Sequence, residues 1–249
     1  MEIKLTYNFK DKTIGFHNSN ECNAIYDNRY ITIEDGVLIK KQNFDSITIR
    51  LILHNSFPKG LFKICNDLIE VEFIKNDLTV PIDFSSAFEE CARLNKFDIS
   101  NVNFPNVTNT SLMFKNCDKL NALNLENLSF ENTINADSMF MGCDNLAYVK
   151  LCSNVAKSMI NINNMFCDTS IITIDTSFLT QSIINAEYAF SYCNQLEKIN
   201  LDFFSEKINV NSILLETNSI IHANRKKFNL IAKKFDEMNA KMKFAIIEI

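Results

Sequence analysis

The strongest constraint in this chain is a recurrence. Phenylalanine stands at positions 62, 88, 114, 140, 166 and 190, at intervals of 26 residues four times and then 24. More than the ring returns: Met113-Phe114-x-x-Cys117-x-x-Leu120-x-x-Leu123-x-Leu125 is repeated as Met139-Phe140-x-x-Cys143-x-x-Leu146-x-x-Val149-x-Leu151. A period of this length means that units stack on one another, because no single unit can bury its own apolar side. Within a unit, Phe and Cys three apart occupy one face of a short helical turn. The Leu123/Leu125 pair that follows has the period of two of a strand with one buried side. The expected fold is an α/β solenoid of about six 26-residue repeats, each a helical turn plus a short strand.

The other copies keep the pattern with local departures. Leu61-Phe62 is followed by Cys65, Ala87-Phe88 by Cys91 and Ala189-Phe190 by Cys193, whereas the fifth copy, Met165-Phe166, has no Cys in register and should be irregular. Asn109, Asn135, Asn161 and Asn185 stand five before their Phe, with Asp83 in the equivalent place; such amides can bond backbone groups that a tight return leaves unpaired. Three before each Phe stand Ser85, Ser111, Asp137, Asn163 and Glu187, mostly N-cap types, which fits a helical turn beginning there.

Three regions follow from this. Residues 1–60 read as a β-rich amino-terminal cap: MEIKLTYNF alternates, Asp35-Gly36 lies between two β-prone runs as a hairpin signal, and SITIRLIL is placed as a first rung beneath repeat one. Residues 61–221 are the solenoid, with a worn seventh copy around Leu214-Leu215 and Ile220-Ile221. Residues 222–249 read as a carboxy-terminal cap, an amphipathic helix over 222–242 with Phe228, Ile231, Phe235, Met238 and Met242 as its stripe, then a closing strand.

The segments NVTNTSLMFKNCDKLNALNL and NADSMFMGCDNLAYVKL resemble the leucine-rich repeats of BspA-like surface proteins, over roughly residues 60–202. The resemblance implies a leucine-rich-repeat fold and a non-enzymatic binder, often of host surface or matrix proteins. This chain differs in its basic terminal segment and in showing no secretory signal at its start, MEIKLTYNFKDK. Cytoplasmic location is the expectation from that start, and an extracellular or surface one if the chain is a trimmed piece of a longer protein.

The residues themselves give little to chemistry. Four Gly and three Pro argue against phosphate-cradling loops, and His17, His54 and His222 are isolated. Glu89-Glu90 falls on the convex turn, where solvated charge is the expectation. Cys65, Cys91, Cys117 and Cys143 form a column of small buried side chains, with none of the close pairs of a zinc site; Cys22, Cys152 and Cys167 lie outside it. No enzyme, cofactor or metal is expected. The formal net charge is −5, with seven Lys and Arg against two acids in residues 222–243. The aromatics of that segment fall on its apolar stripe and the rest of the chain is acidic, which argues against nucleic acid. No run of 18 apolar residues is present to span a membrane.

What remains is the strand surface. Glu70/Glu72, Lys96/Asp98, Ala122/Asn124, Tyr148/Lys150, Thr173/Asp175 and Lys198/Asn200 flank the middle apolar position of each strand and point away from the core. As the site residues of a partner-binding face they are Glu70, Glu72, Lys96, Asp98, Asn124, Tyr148, Lys150, Asp175, Lys198 and Asn200. The expected function is a protein–protein interaction module that binds a partner protein through this face. The alternative is an intracellular inhibitor or effector that occludes a target enzyme or nuclease.

Overall fold

The computed structural model describes residues 1–8, 13–15, 22–26, 29–31, 37–39, 46–237 and 246–248. Its strands are β1 (Glu2–Asn8), β2 (Thr13–Gly15), β3 (Cys22–Tyr26), β4 (Arg29–Ile31), β5 (Val37–Ile39), β6 (Ser46–Leu53), β7 (Leu68–Lys75), β8 (Ile82–Asp83), β9 (Lys96–Asp98), β10 (Val107–Asn109), β11 (Ala122–Leu125), β12 (Tyr148–Leu151), β13 (Lys198–Asn200), β14 (Ile220–Ala223) and β15 (Ile246–Glu248). One α-helix, α1 (Arg225–Glu237), is present among the described residues.

The repeats form a β-solenoid with the spacing read from the sequence. Phe62, Phe88, Phe114, Phe140, Phe166 and Phe190 are all buried and lie one above the next, neighbouring ring centroids being 5.2, 5.6, 5.9, 5.0 and 5.6 Å apart with interplanar angles of 5 to 23°. These separations are close to the spacing of paired strands, about 4.8 Å. One apolar core runs from Met1 to Phe235.

The expected helical turn is absent, and the backbone shows why. Among the described residues, positive φ falls two before and two after the Phe: Gly60 and Ile64, Ser86 and Glu90, Leu112 and Asn116, Ser138 and Gly142, Asn164 and Asp168, Tyr188 and Tyr192. Ser212 and Glu216 repeat it around Leu214, so the seventh copy shares the turn with Leu in place of the ring. Locally, Ala87 N–H bonds Phe84 C=O (3.0 Å) and Cys91 N–H bonds Phe88 C=O (3.1 Å), with Ser86 and Glu90 third in their four-residue turns. A positive φ at that place belongs to type II geometry. With a left-handed residue in each turn, every second amide faces the neighbouring rung while those between bond within the chain. Thus Ser86, Phe88 and Glu90 N–H donate to Ser111, Met113 and Lys115 C=O at 2.9, 2.9 and 2.8 Å. Ser85, Ser111, Asp137 and Asn163, expected as helix N-caps, serve through their carbonyls, which accept from Gly60, Ser86, Leu112 and Ser138 of the preceding rung, as the Glu187 carbonyl does from Asn164.

The Asn column does satisfy backbone. The Oδ1 of Asp83, Asn109, Asn135 and Asn161 each accepts the N–H two residues on, at 2.8 to 3.0 Å, and Asn109, Asn135, Asn161, Asn185 and Asn209 are bridged rung to rung. Glu89, expected as solvated charge, is buried with its carboxylate 2.9 Å from Lys63 of the preceding rung. Burial alone would raise its pKa, but the hydrogen bonds from Lys63 and Ser86 and the nearby lysines outweigh it and hold the carboxyl below its usual range.

At the amino-terminal end the order of strands differs from expectation. β1 lies beside the first repeat strand β7, antiparallel, and β6 pairs with β1 on its far side; SITIRLIL is therefore one place removed from the first rung. The Asp35-Gly36 turn lies outside the described residues, and the strands flanking it pair elsewhere, β4 with β3 and β5 with β2. At the other end β15 pairs with β14 in parallel, and α1 buries Ile231 and Phe235, the latter 6.2 Å from Phe204. Met238 and Met242 lie outside the described residues.

Candidate functional site

The strand face is built by alternation. In β11 the side chains of Leu123 and Leu125 are buried while Ala122 and Asn124 are exposed, and parallel pairing places Tyr148 beside Ala122 and Lys150 beside Asn124. The same rule places Lys96 beside Glu70 and Asp98 beside Glu72 across β7 and β9. Bridges then carry the outer row from Tyr148 through Thr173 to Lys198. The face is continuous in side-chain rows but not in hydrogen bonding: β9 closes one sheet and β11 opens the next. Lys96, Asn124, Tyr148, Lys150, Asp175 and Lys198 are exposed, while Glu70, Glu72, Asp98 and Asn200 are half-buried. Among the described residues Tyr148 is the most exposed large apolar side chain, at 56%.

Half of the candidates have a structural task as well. The Oδ1 atoms of Asp98, Asn124, Asp175 and Asn200 accept the N–H of Ser100, Glu126, Ser177 and Asp202 at 2.8, 3.1, 2.8 and 2.7 Å. These are Asx turns that end each strand. The bonds from Ser100 hold the Asp98 carboxyl below its usual range. Glu72 is paired with Lys4 of β1 at 2.9 Å. The first rung has Glu72 at this place and the fourth has Lys150, whose Nζ instead reaches Glu126 at 2.7 Å and lowers the pKa of that carboxyl.

Where the Asx turn is missing, a cleft of about 550 Å3 opens between the fourth and fifth rungs. Its walls include Glu126, Tyr148, Lys150, Cys152, Asp175 and Phe178. Core positions that are sealed elsewhere are half-exposed here: Val149 and Leu151 stand where Leu123 and Leu125, or Ile199 and Leu201, are buried. Sequence reasoning missed Glu126, Cys152 and Phe178 as members of this region. The signal was the Lys at a place occupied by Asp or Asn in four other copies.

The thiols have a role beyond filling space. Sγ of Cys91, Cys117, Cys143 and Cys193 donates to the carbonyl of Phe62, Phe88, Phe114 and Phe166, one repeat earlier, at 2.9 to 3.1 Å. In the seventh copy the hydroxyl of Thr217 makes the same bond to Phe190 at 2.8 Å. Burial raises all these thiols, Cys143 and Cys193 to about 12, so they remain protonated donors. Cys117→Thr keeps a donor at this place, whereas Cys117→Val has the shape of that threonine without the donor. The valine variant should be the less stable of the two by about 1 kcal/mol in urea unfolding. Equal stabilities would remove the thiol bond from the account.

Two lysines of the basic helix point inward rather than toward a ligand. Lys227 Nζ donates to Phe204 C=O at 2.6 Å, and Lys234 Nζ to Glu206 and Ile208 C=O at 2.8 and 3.2 Å. No helix among the described residues is long and apolar enough to cross a membrane.

The family described as BspA type leucine rich repeat region (6 copies) matches residues 8–121. Over those residues the repeats are of the BspA type. This leucine-rich-repeat match begins well ahead of Phe62, inside the segment read from sequence as a cap. A second family, described as Mycoplasma protein of unknown function, DUF285, matches residues 82–204, the repeats from the second copy onward. No curated protein and no solved structure matches the chain. BspA-type repeats suggest a protein–protein interaction module and belong to a family that is generally non-enzymatic.

Proposed function

We propose that this protein binds a partner protein through the outward rows of its strand face, centred on Tyr148 and Lys150. The observation that carries the reading is the alignment of Lys96, Asn124, Tyr148, Lys150, Asp175 and Lys198, exposed on one side of the column of rungs. An extended surface of this kind is how repeat folds engage partners, and an exposed Tyr amid mixed charge suits an interface. In this reading residues 61–221 are the interaction solenoid. Residues 1–60 and 222–249 close its ends, the latter with Lys227 and Lys234 on carbonyls of the last rung.

The test uses a photo-crosslinking amino acid placed singly at Lys96, Tyr148 and Lys198, and as a control at Asn132, which is exposed away from these rows. Identifying the products by mass spectrometry should give one protein shared by the three face positions and absent from the control. Tyr148→Ala with Lys150→Ala should then weaken binding of that protein without moving the melting temperature. Products from Asn132 alone would place the working surface elsewhere.

A further inference from the structure

The strand face is not uniform, and its cleft between the fourth and fifth rungs has the properties of a receptor. Between β12 and the fifth rung the pairing amounts to the bridge Tyr148↔Thr173, with Ile172 N–H on Ala147 C=O at 3.1 Å. Past that bridge no residue of the fifth rung is paired with β12 among the described residues, so the end of this edge at Lys150 and Leu151 runs beside the cleft. Two sequence departures fall at the gap. Lys150 replaces the residue that would fold the strand exit back, and the fifth copy is shortened, with 24 residues from Phe166 to Phe190. Behind the gap, Ala156 occupies the place one repeat after Phe130, and the rings of Phe130 and Phe178 meet across it at 5.5 Å. Packing is thus restored in the interior while Val149, Leu151 and Cys152 remain half-exposed at the cleft.

The geometry points to capture of an extended peptide segment of the partner protein, laid along the free edge of β12 with one apolar side chain in the cleft. This rests on the strand-face reading and names its anchor. An open strand edge supplies main-chain hydrogen bonds, and a neighbouring pocket supplies the side-chain choice. The cleft has room for one large side chain against Val149, Leu151 and Phe178, with Tyr148 at its mouth. Its rim carries Glu126 and Asp175 against the single cation Lys150, which Glu126 already holds. A basic residue beside the apolar anchor therefore complements the rim, whereas an acidic one meets two carboxylates.

The probe is a phage-displayed library of random dodecapeptides selected on the full chain. Enriched peptides should carry an apolar residue next to Lys or Arg, and binding them should slow amide exchange in residues 148–152. Ser153→Trp puts an indole into the cleft from an exposed position on its wall. It should lower affinity for the selected peptides by roughly tenfold or more, about 1.4 kcal/mol, at unchanged melting temperature. Should that variant fold poorly, Glu126→Lys provides the second arm and should weaken the basic peptides specifically. The proposal is overturned if nothing is enriched, if exchange is slowed elsewhere, or if both variants bind the peptides as the parent does. Should it fall while Lys96 and Lys198 still crosslink a common partner, the strand-face reading survives without it.

Discussion

Phe114→Ala should cost about 3–5 kcal/mol of unfolding free energy, read as a fall in the urea midpoint at unchanged slope. The ring is fully buried and touches three others: Phe88 at 5.6 Å, Phe140 at 5.9 Å and Phe97 edge-on at 4.9 Å. Truncation removes its transfer free energy and leaves a cavity that the rungs above and below cannot fill, because each is held in place by its own backbone bonds to its neighbours. Tyr148→Ala, on the outer face of the same solenoid, should change stability by no more than about 0.5 kcal/mol. A loss under about 1 kcal/mol at Phe114 would mean that the ring is not in a packed interior.

The second large effect concerns Glu90, where sign as well as size is informative. Its φ is 62°, and its N–H donates to Lys115 C=O at 2.8 Å. Proline can supply neither that φ nor that donor, so Glu90→Pro should cost about 3 kcal/mol or more. Glycine takes the left-handed conformation without the Cβ clash, so Glu90→Gly should stabilise, by up to roughly 1 kcal/mol. In a helical turn the same glycine would destabilise by roughly 0.5–1 kcal/mol. Thermal unfolding of the glycine variant therefore distinguishes the paired turns seen here from the helical turn that residue spacing suggests.

That ambiguity marks the limit of what could be read from the sequence. The period, the single core and the Phe column follow from residues that recur, and recurrence is visible in a string of letters. The turn is less visible, because a spacing of three places Phe and Cys together both in a helix and in two successive tight turns. Asn116, Gly142 and Asp168, all two after their Phe, are types that tolerate positive φ and were a usable signal. Ile64, Glu90 and Tyr192 at the same place are not, and there the rung-to-rung bonds impose the conformation on an unwilling residue. The strand face was legible as a surface, since alternation settles which side chains point out. The double duty of Asp98, Asn124, Asp175 and Asn200 was not, although their shared position at the strand exit could have disclosed it. The order β6-β1-β7 at the amino-terminal end depends on which of several alternating strands reaches the first rung, and alternation is the same in all of them.

The free-energy coupling between Phe114 and Phe140 tests the central claim, that equivalent rings stand on one another in a continuous column. A double-mutant cycle to alanine or leucine on this pair, stacked at 5.9 Å and 5°, should give a coupling of about 0.5–1.5 kcal/mol. The same cycle on Phe62 and Phe190, at opposite ends of the column, should be additive to within about 0.5 kcal/mol. Additivity at the adjacent pair, or equal coupling at both, would contradict the stacked column.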